Sequence, residues 1–184
     1  MCLVSLQHNA VIISAFVLIS LQVVEVASKV LVVLRHLYFV VSRLKIDLST
    51  QYSYVYSTAI DVLAQPACRI QVIFHEMMPG KLGTIALHPL DRYNDLFFFN
   101  TVEHFTSVIS SQANEDFILA AAMPYLDIDG DPRLAEIHEA AHSVVLSIFS
   151  GSDDIDVVGR NIGSYSEALF KVGSLRQLSD LCEG

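Results

Sequence analysis

The sequence predicts an all-α fold of stacked antiparallel helix pairs, an α-solenoid-like fragment, and three observations lead there. Apolar residues recur at spacings of three and four along most of the chain. No stretch alternates polar with apolar residues as a half-buried strand would. The periodic segments are punctuated by Pro, Gly, Asp and Asn, mostly in short stretches such as join neighbouring helices. The 184 residues suffice for one helical domain with a real core, spanning 1–184, and no compositional break marks a second.

From Asn9 to Lys45 the pattern is helical and apolar on a broad face, and two long helices are the simplest parse. "STQYSYVYSTAIDVLAQP" is a third helix, capped by Ser49 or Thr50 and ended by Pro66, its tyrosines packing residues and rim. "CRIQVIFHEMM" is a helix stopped by Pro79-Gly80, and 79–95 is an internal loop. "DLFFFNTVEHFTSVISS" places Leu96, Phe99, Val102, Phe105 and Ile109 on one buried stripe, with the aromatic cluster as core. "NEDFILAAAMPYL" is a further helix with Asn114 as cap and Glu115 and Asp116 at its positive end.

"DIDGDP" alternates aspartates like a calcium loop, but its glycine is misplaced and no glutamate closes the frame, so a capped turn is expected. Asp131 then caps a helix that Pro132 opens and Gly151 ends. Leu134, Ile137, Ala141, Val144, Val145 and Ile148 form its buried stripe, with His138, His142 and Phe149 beside it. Glu136, Glu139, Ser143 and Ser147 form the opposite, polar face. Past Gly151 a polar loop and one or two short helices complete the chain.

Composition narrows the function. At 53% hydrophobic, 17% charged and a mean hydropathy of +0.48, the chain is greasier than soluble domains, which carry about 25% charged residues, so much of its surface should face protein or membrane. A net charge of -9 and no long run of Lys or Arg exclude nucleic acid as a partner. Cys2, Cys68 and Cys182 are odd in number and lack C-x-x-C spacing, which points to buried thiols in a reducing compartment. Met1 to Val24 carries no charge, yet no basic segment precedes the apolar run and no small-x-small site follows it. The pattern continues past Glu25, Lys29 and Arg35, so a buried helix pair with at most peripheral membrane contact is expected.

One motif invites a catalytic reading. His138-Glu139-Ala140-Ala141-His142 has the spacing with which zinc peptidases hold a metal, because i and i+4 share a helix face and the glutamate can activate a metal-bound water. In a chain with seven histidines, that match arises by chance about once or twice per hundred. A third ligand would have to be Asp153, Asp154, Asp156, Glu167, Asp180 or an upstream residue, and none stands in the H-x-x-G-x-x-H extension. There is no G-x-S-x-G elbow and no Gly-rich phosphate loop. The expectation is a non-enzymatic chain with no catalytic, cofactor-binding or metal residue; a zinc-dependent hydrolase using His138, His142 and Glu139 is the alternative.

Four blocks, "LHPLDRYNDLFFFNTVEHFTSVIS", "NEDFILAAAMPYL", "EIHEAAHSVVLSIFS" and "YSEALFKV", resemble in order and spacing the eighth peroxin, a fungal peroxisome-biogenesis family, over about residues 85 to 180. The resemblance implies that the block around His142 is a solenoid helix and that the chain is a fragment or shortened form. It also implies a non-enzymatic scaffold in peroxisomal matrix-protein import, peripheral on the inner, matrix side of the peroxisomal membrane. There it would link the docking complex with the RING-finger complex and contact the import receptor. The chain departs from the family pattern after "EALFKV", where Gly173-Ser174 replaces Phe-Pro. It ends at Leu181-Cys182-Glu183-Gly184 in place of a Ser-Lys-Leu-like address.

Overall fold

A computed structural model describes residues 2–43, 48–64, 70–127, 131–151 and 154–182, with side chains described over 22–43, 50–64, 74–127, 131–151 and 154–171. Every regular element among them is helical. Helix α1 (Cys2–Arg43) and helix α2 (Leu48–Ala64) form an antiparallel pair, with only residues 44–47 between them. Val24, Ala27, Leu31 and Leu34 of α1 are buried, as are Ala59, Ile60 and Leu63 of α2, and the Tyr52 hydroxyl donates to the Leu34 carbonyl at 2.9 Å.

The two helices expected between Asn9 and Lys45 are one, because no Pro or Gly interrupts residues 2–43 and nothing supplies a turn. α2 begins at Leu48, so Ser49 and Thr50 lie inside its first turn and not ahead of it. The expected burial of residues 1–21, the three cysteines and the 128–130 part of "DIDGDP" lies outside the described side chains. No helix among the described residues is long and apolar enough to cross a membrane.

Helix α3 (Ile70–Met77) ends before Pro79 as expected, and helix α4 (Pro89–Val102) follows. The expected loop 79–95 is therefore loop only to His88. Pro89 is pre-set for the first helical position and the His88 ring accepts the Leu90 N–H at 3.2 Å, which together start the helix early. α4 is buried nearly all round: Asp95 to Phe99 are all buried, with Thr101 and Val102. The expected stripe of Leu96, Phe99, Val102, Phe105 and Ile109 is buried, but Phe97 and Phe98 are buried too, on other sides. Phe97 meets Tyr38 and Tyr56 on the α1/α2 pair, Phe98 meets Phe74 of α3, and Phe99 meets Tyr125 at a centroid distance of 5.6 Å.

After a 3-10 turn (Glu103–Phe105), the single turn α5 (Ser111–Ala113) opens into a π-helical stretch (Asn114–Leu119) and then helix α6 (Ala120–Leu126). Ser110, not Asn114, is the cap: its hydroxyl accepts the Ala113 N–H at 3.3 Å. Asn114 is buried and donates to the Thr106 carbonyl at 2.8 Å. Both residues are good caps, and the earlier one took the helix start. Glu115, expected to serve the helix dipole, instead reaches Arg160 in a two-pronged pair of 3.0 and 2.6 Å and accepts from Asn161, which holds its carboxyl down at about 2.

Asp131 and Pro132 open a 3-10 turn (Pro132–Leu134) that runs straight into helix α7 (Ala135–Gly151), with Asp131 accepting the Arg133 N–H at 3.0 Å. All six stripe residues of α7 are buried against α4 and α6. Its serines are not in water: Ser143 donates to Glu103 at 2.6 Å, and Ser147 lies 2.7 Å from the Thr106 hydroxyl, so a polar seam joins α7 to the end of α4. Helix α8 (Ile155–Cys182) is one helix where short ones were expected; Asp154 accepts the Asp156 N–H at its start, and Gly159 and Gly163 cost only about 1 kcal/mol each.

Val144 and Ile148 lie at the centre of the α7 stripe. Truncating either to alanine is expected to cost on the order of 1 to 4 kcal/mol through lost burial and a residual cavity. Exposed Glu139→Gln is expected to stay within about 0.5 kcal/mol of the parent. Denaturant unfolding of the three variants checks the ranking.

Candidate functional site

Two places on this scaffold gather polar side chains. The first is the histidine pair of α7. His138 Nε2 and His142 Nε2 stand 3.1 Å apart, and the rings meet edge to face at 4.3 Å between centroids. His142 Nδ1 is 3.2 Å from the Tyr165 hydroxyl on α8, whose ring also packs on Phe149. Burial, and next the neighbouring His138, hold the pKa of His142 below its ordinary value.

Two nitrogens at that spacing could chelate one ion, but a protein zinc site needs a third ligand. Among the described residues no group of three or more His, Cys, Asp or Glu is placed to hold a metal. Of the candidates named from the sequence, Asp153 and the side chain of Asp180 lie outside the described residues. Asp154 caps α8, Asp156 and Glu167 are exposed, and Glu139 is exposed on α7. The geometry explains the pair as a contact between α7 and α8.

The second place is an open cleft of about 710 Å³ between the 79–88 loop, the start of α4 and Arg35 of α1. A proline builds its wall. Pro124 inside α6 has no N–H to give the Ala120 carbonyl one turn back, and the Gly83 N–H donates to that carbonyl instead, at 3.2 Å. Gly83 reaches it with φ of 75°, a conformation that side-chain-bearing residues avoid.

The loop is strapped twice more. Arg92 donates to the carbonyls of Ala86 and Leu87 at 2.7 and 3.1 Å. The Ala86 N–H donates to the Tyr125 hydroxyl, which donates in turn to the buried Asp95 carboxylate at 2.6 Å. Burial raises the pKa of Asp95 against the opposing pulls of Tyr125 and Arg35. On the cleft side, burial lowers the pKa of Arg35, and its Nε has no hydrogen-bond partner among the described residues. Exposed Leu87 stands on the rim.

Sequence reasoning missed Arg35, Asp95 and Tyr125. The available signal was weak: a lone charge in "VLRHLYFVV", an aspartate leading into three phenylalanines, and a tyrosine directly after a proline.

The described residues form an all-helical body of paired helices, the architecture of a helical-repeat protein. Residues 70–150, from the start of α3 to the penultimate residue of α7, match the PEX8 central TPR-like domain. Over that segment the chain is similar to the PEX8 family, the eighth peroxin. No curated protein and no solved structure matches the chain. The family is a peroxin scaffold type and not an enzyme family, and the match points to a role in peroxisomal protein import, in association with the peroxisome and with other peroxins.

Two measurements probe these sites. Asp95→Asn keeps an acceptor for the Tyr125 hydroxyl, whereas Asp95→Ala leaves its O–H without one; unfolding experiments should find alanine the costlier change, by about 1 to 3 kcal/mol. His142, whose folded pKa lies below its ordinary 6.5, binds its proton less readily folded than unfolded, so its contribution is present above pH 6.5 and is lost as pH falls below it. Thermal unfolding between pH 7.5 and 5.5 should therefore show a smaller loss of stability for His142→Gln than for the parent.

Proposed function

We propose that this chain acts without catalysis as a scaffold in peroxisomal matrix-protein import. It links the docking complex with the RING-finger complex on the inner face of the peroxisomal membrane, and it contacts the import receptor. The single observation that supports this reading is the family match over 70–150, which spans α3 to α7 and so includes the strapped loop and most of the core. A linker between assemblies works by presenting fixed surfaces, and a loop tied down at Gly83, Ala86 and Leu87 is a fixed surface.

The test uses cells whose only copy of the gene carries the substitution. Glu139→Gln and His142→Ala should import a matrix reporter normally and should co-purify with both docking and RING-finger peroxins, while Ile148→Ala, which weakens the fold, should lower both. If Glu139→Gln folds as the parent does and loses import, the scaffold reading is wrong and the histidine motif is catalytic.

A further inference from the structure

Helix α1 carries two apolar stripes, and among the described residues only one is covered. Val24, Ala27, Leu31 and Leu34 face the core. Beside them Val23, Val26, Val33, Leu37 and Val40 are 46, 61, 56, 46 and 47% exposed, and Val30, in the same row, is half-buried. Positions 23, 26, 30, 33, 37 and 40 step by three and four without a break, over about 26 Å of helix. That is the seam of a coiled coil, the spacing that keeps one stripe facing a partner helix. It lies outside the segment matched to the family.

The flanks of the seam describe the partner. One flank is closed by Ala27 and Leu34, which are buried in the protein's own core. The open flank carries Lys29, His36 and Arg43 at intervals of seven. Lys29 is exposed and paired within its helix to Glu25, and the Arg43 guanidinium stacks on Phe39 and Tyr93. A second copy docking antiparallel would set this basic edge against itself, and docking parallel it would meet the flank that the core already fills. A lipid surface is disfavoured because the seam is two residues wide and valine-rich, and the chain has no Trp.

We infer that the exposed seam of α1 docks an amphipathic helix of another protein, with apolar residues in heptad register and Asp or Glu along the edge that meets Lys29, His36 and Arg43. Two synthetic peptides of about three heptads test it, identical in their apolar positions and carrying Glu in one and Lys in the other at the flanking positions. Fluorescence anisotropy with the purified chain should show the Glu peptide binding at least about tenfold more tightly than the Lys peptide. Val26→Glu combined with Val33→Glu, both at exposed positions, should abolish binding while leaving the circular dichroism melt unchanged. Lys29→Glu with His36→Glu should narrow or invert the preference. Equal binding of the two peptides, no binding of either, or binding that survives the valine substitutions overturns the proposal. So does self-association in sedimentation that the valine substitutions abolish, which makes the occupant a second copy. Binding through those valines to phosphatidylserine vesicles, with neither peptide bound, makes it a membrane.

Discussion

The structure turns on one constraint: the middle of α4 is buried on every side. Phe97, Phe98 and Phe99 follow one another along a helix, so their side chains leave it about 100° apart and no single neighbour can cover them. The α1/α2 pair covers Phe97, α3 covers Phe98, and the face around Phe99 takes α6 and α7. Three aromatic residues, each burying on the order of 150 to 250 Å², thus dictate how many helices must surround α4. A helix with one apolar stripe asks for a layer, whereas one with apolar residues all round asks for a shell.

That shell leaves one awkward group inside it. Asp95 precedes the aromatic run, and a carboxylate there would be costly without partners. Tyr125 supplies the hydrogen bond and Arg35 a nearby positive charge, while the same tyrosine hydroxyl receives the Ala86 N–H. The polar group that the core could not avoid thus also fastens the loop above it. Pro124 does something similar with the backbone: the carbonyl it leaves free at Ala120 becomes the anchor for Gly83. Both devices convert a local defect in the helical pattern into a tie between segments far apart in sequence, and together they shape the cleft.

What could be read from the sequence follows from range. The buried stripe and terminal glycine of α7, and the Asp131 cap and Pro132 of the 3-10 turn that leads into it, are set by neighbours within a turn or two, and each is where the sequence placed it. The ends of α1 and α8 were misjudged for a local reason as well: an uninterrupted apolar helix gives no punctuation, and a glycine or two costs too little to end one. Asn114 lost the capping role to Ser110 because two competent caps stood four residues apart. By contrast, Arg35, Asp95 and Tyr125 meet across separations that no periodicity reports, so the cleft was invisible to pattern reading. The exposed stripe of α1 was hidden differently. A helix apolar on a broad face does not say which part of that face its own fold will cover.

The histidine motif shows the same limit from the other direction. The spacing of His138 and His142 was legible and their approach to 3.1 Å is what a helix makes of it, but chemistry depends on what stands around them. A catalytic zinc site keeps three protein ligands and an open position for water. Here each Nε2 has the other as its neighbour, Nδ1 of His142 faces Tyr165, and Phe149 packs on that same tyrosine. Tyr165 of α8 thus stands beside the pair. His142 of the motif takes part in the contact between α7 and the next helix, and contacts between successive helices are what a helical-repeat protein needs at every repeat.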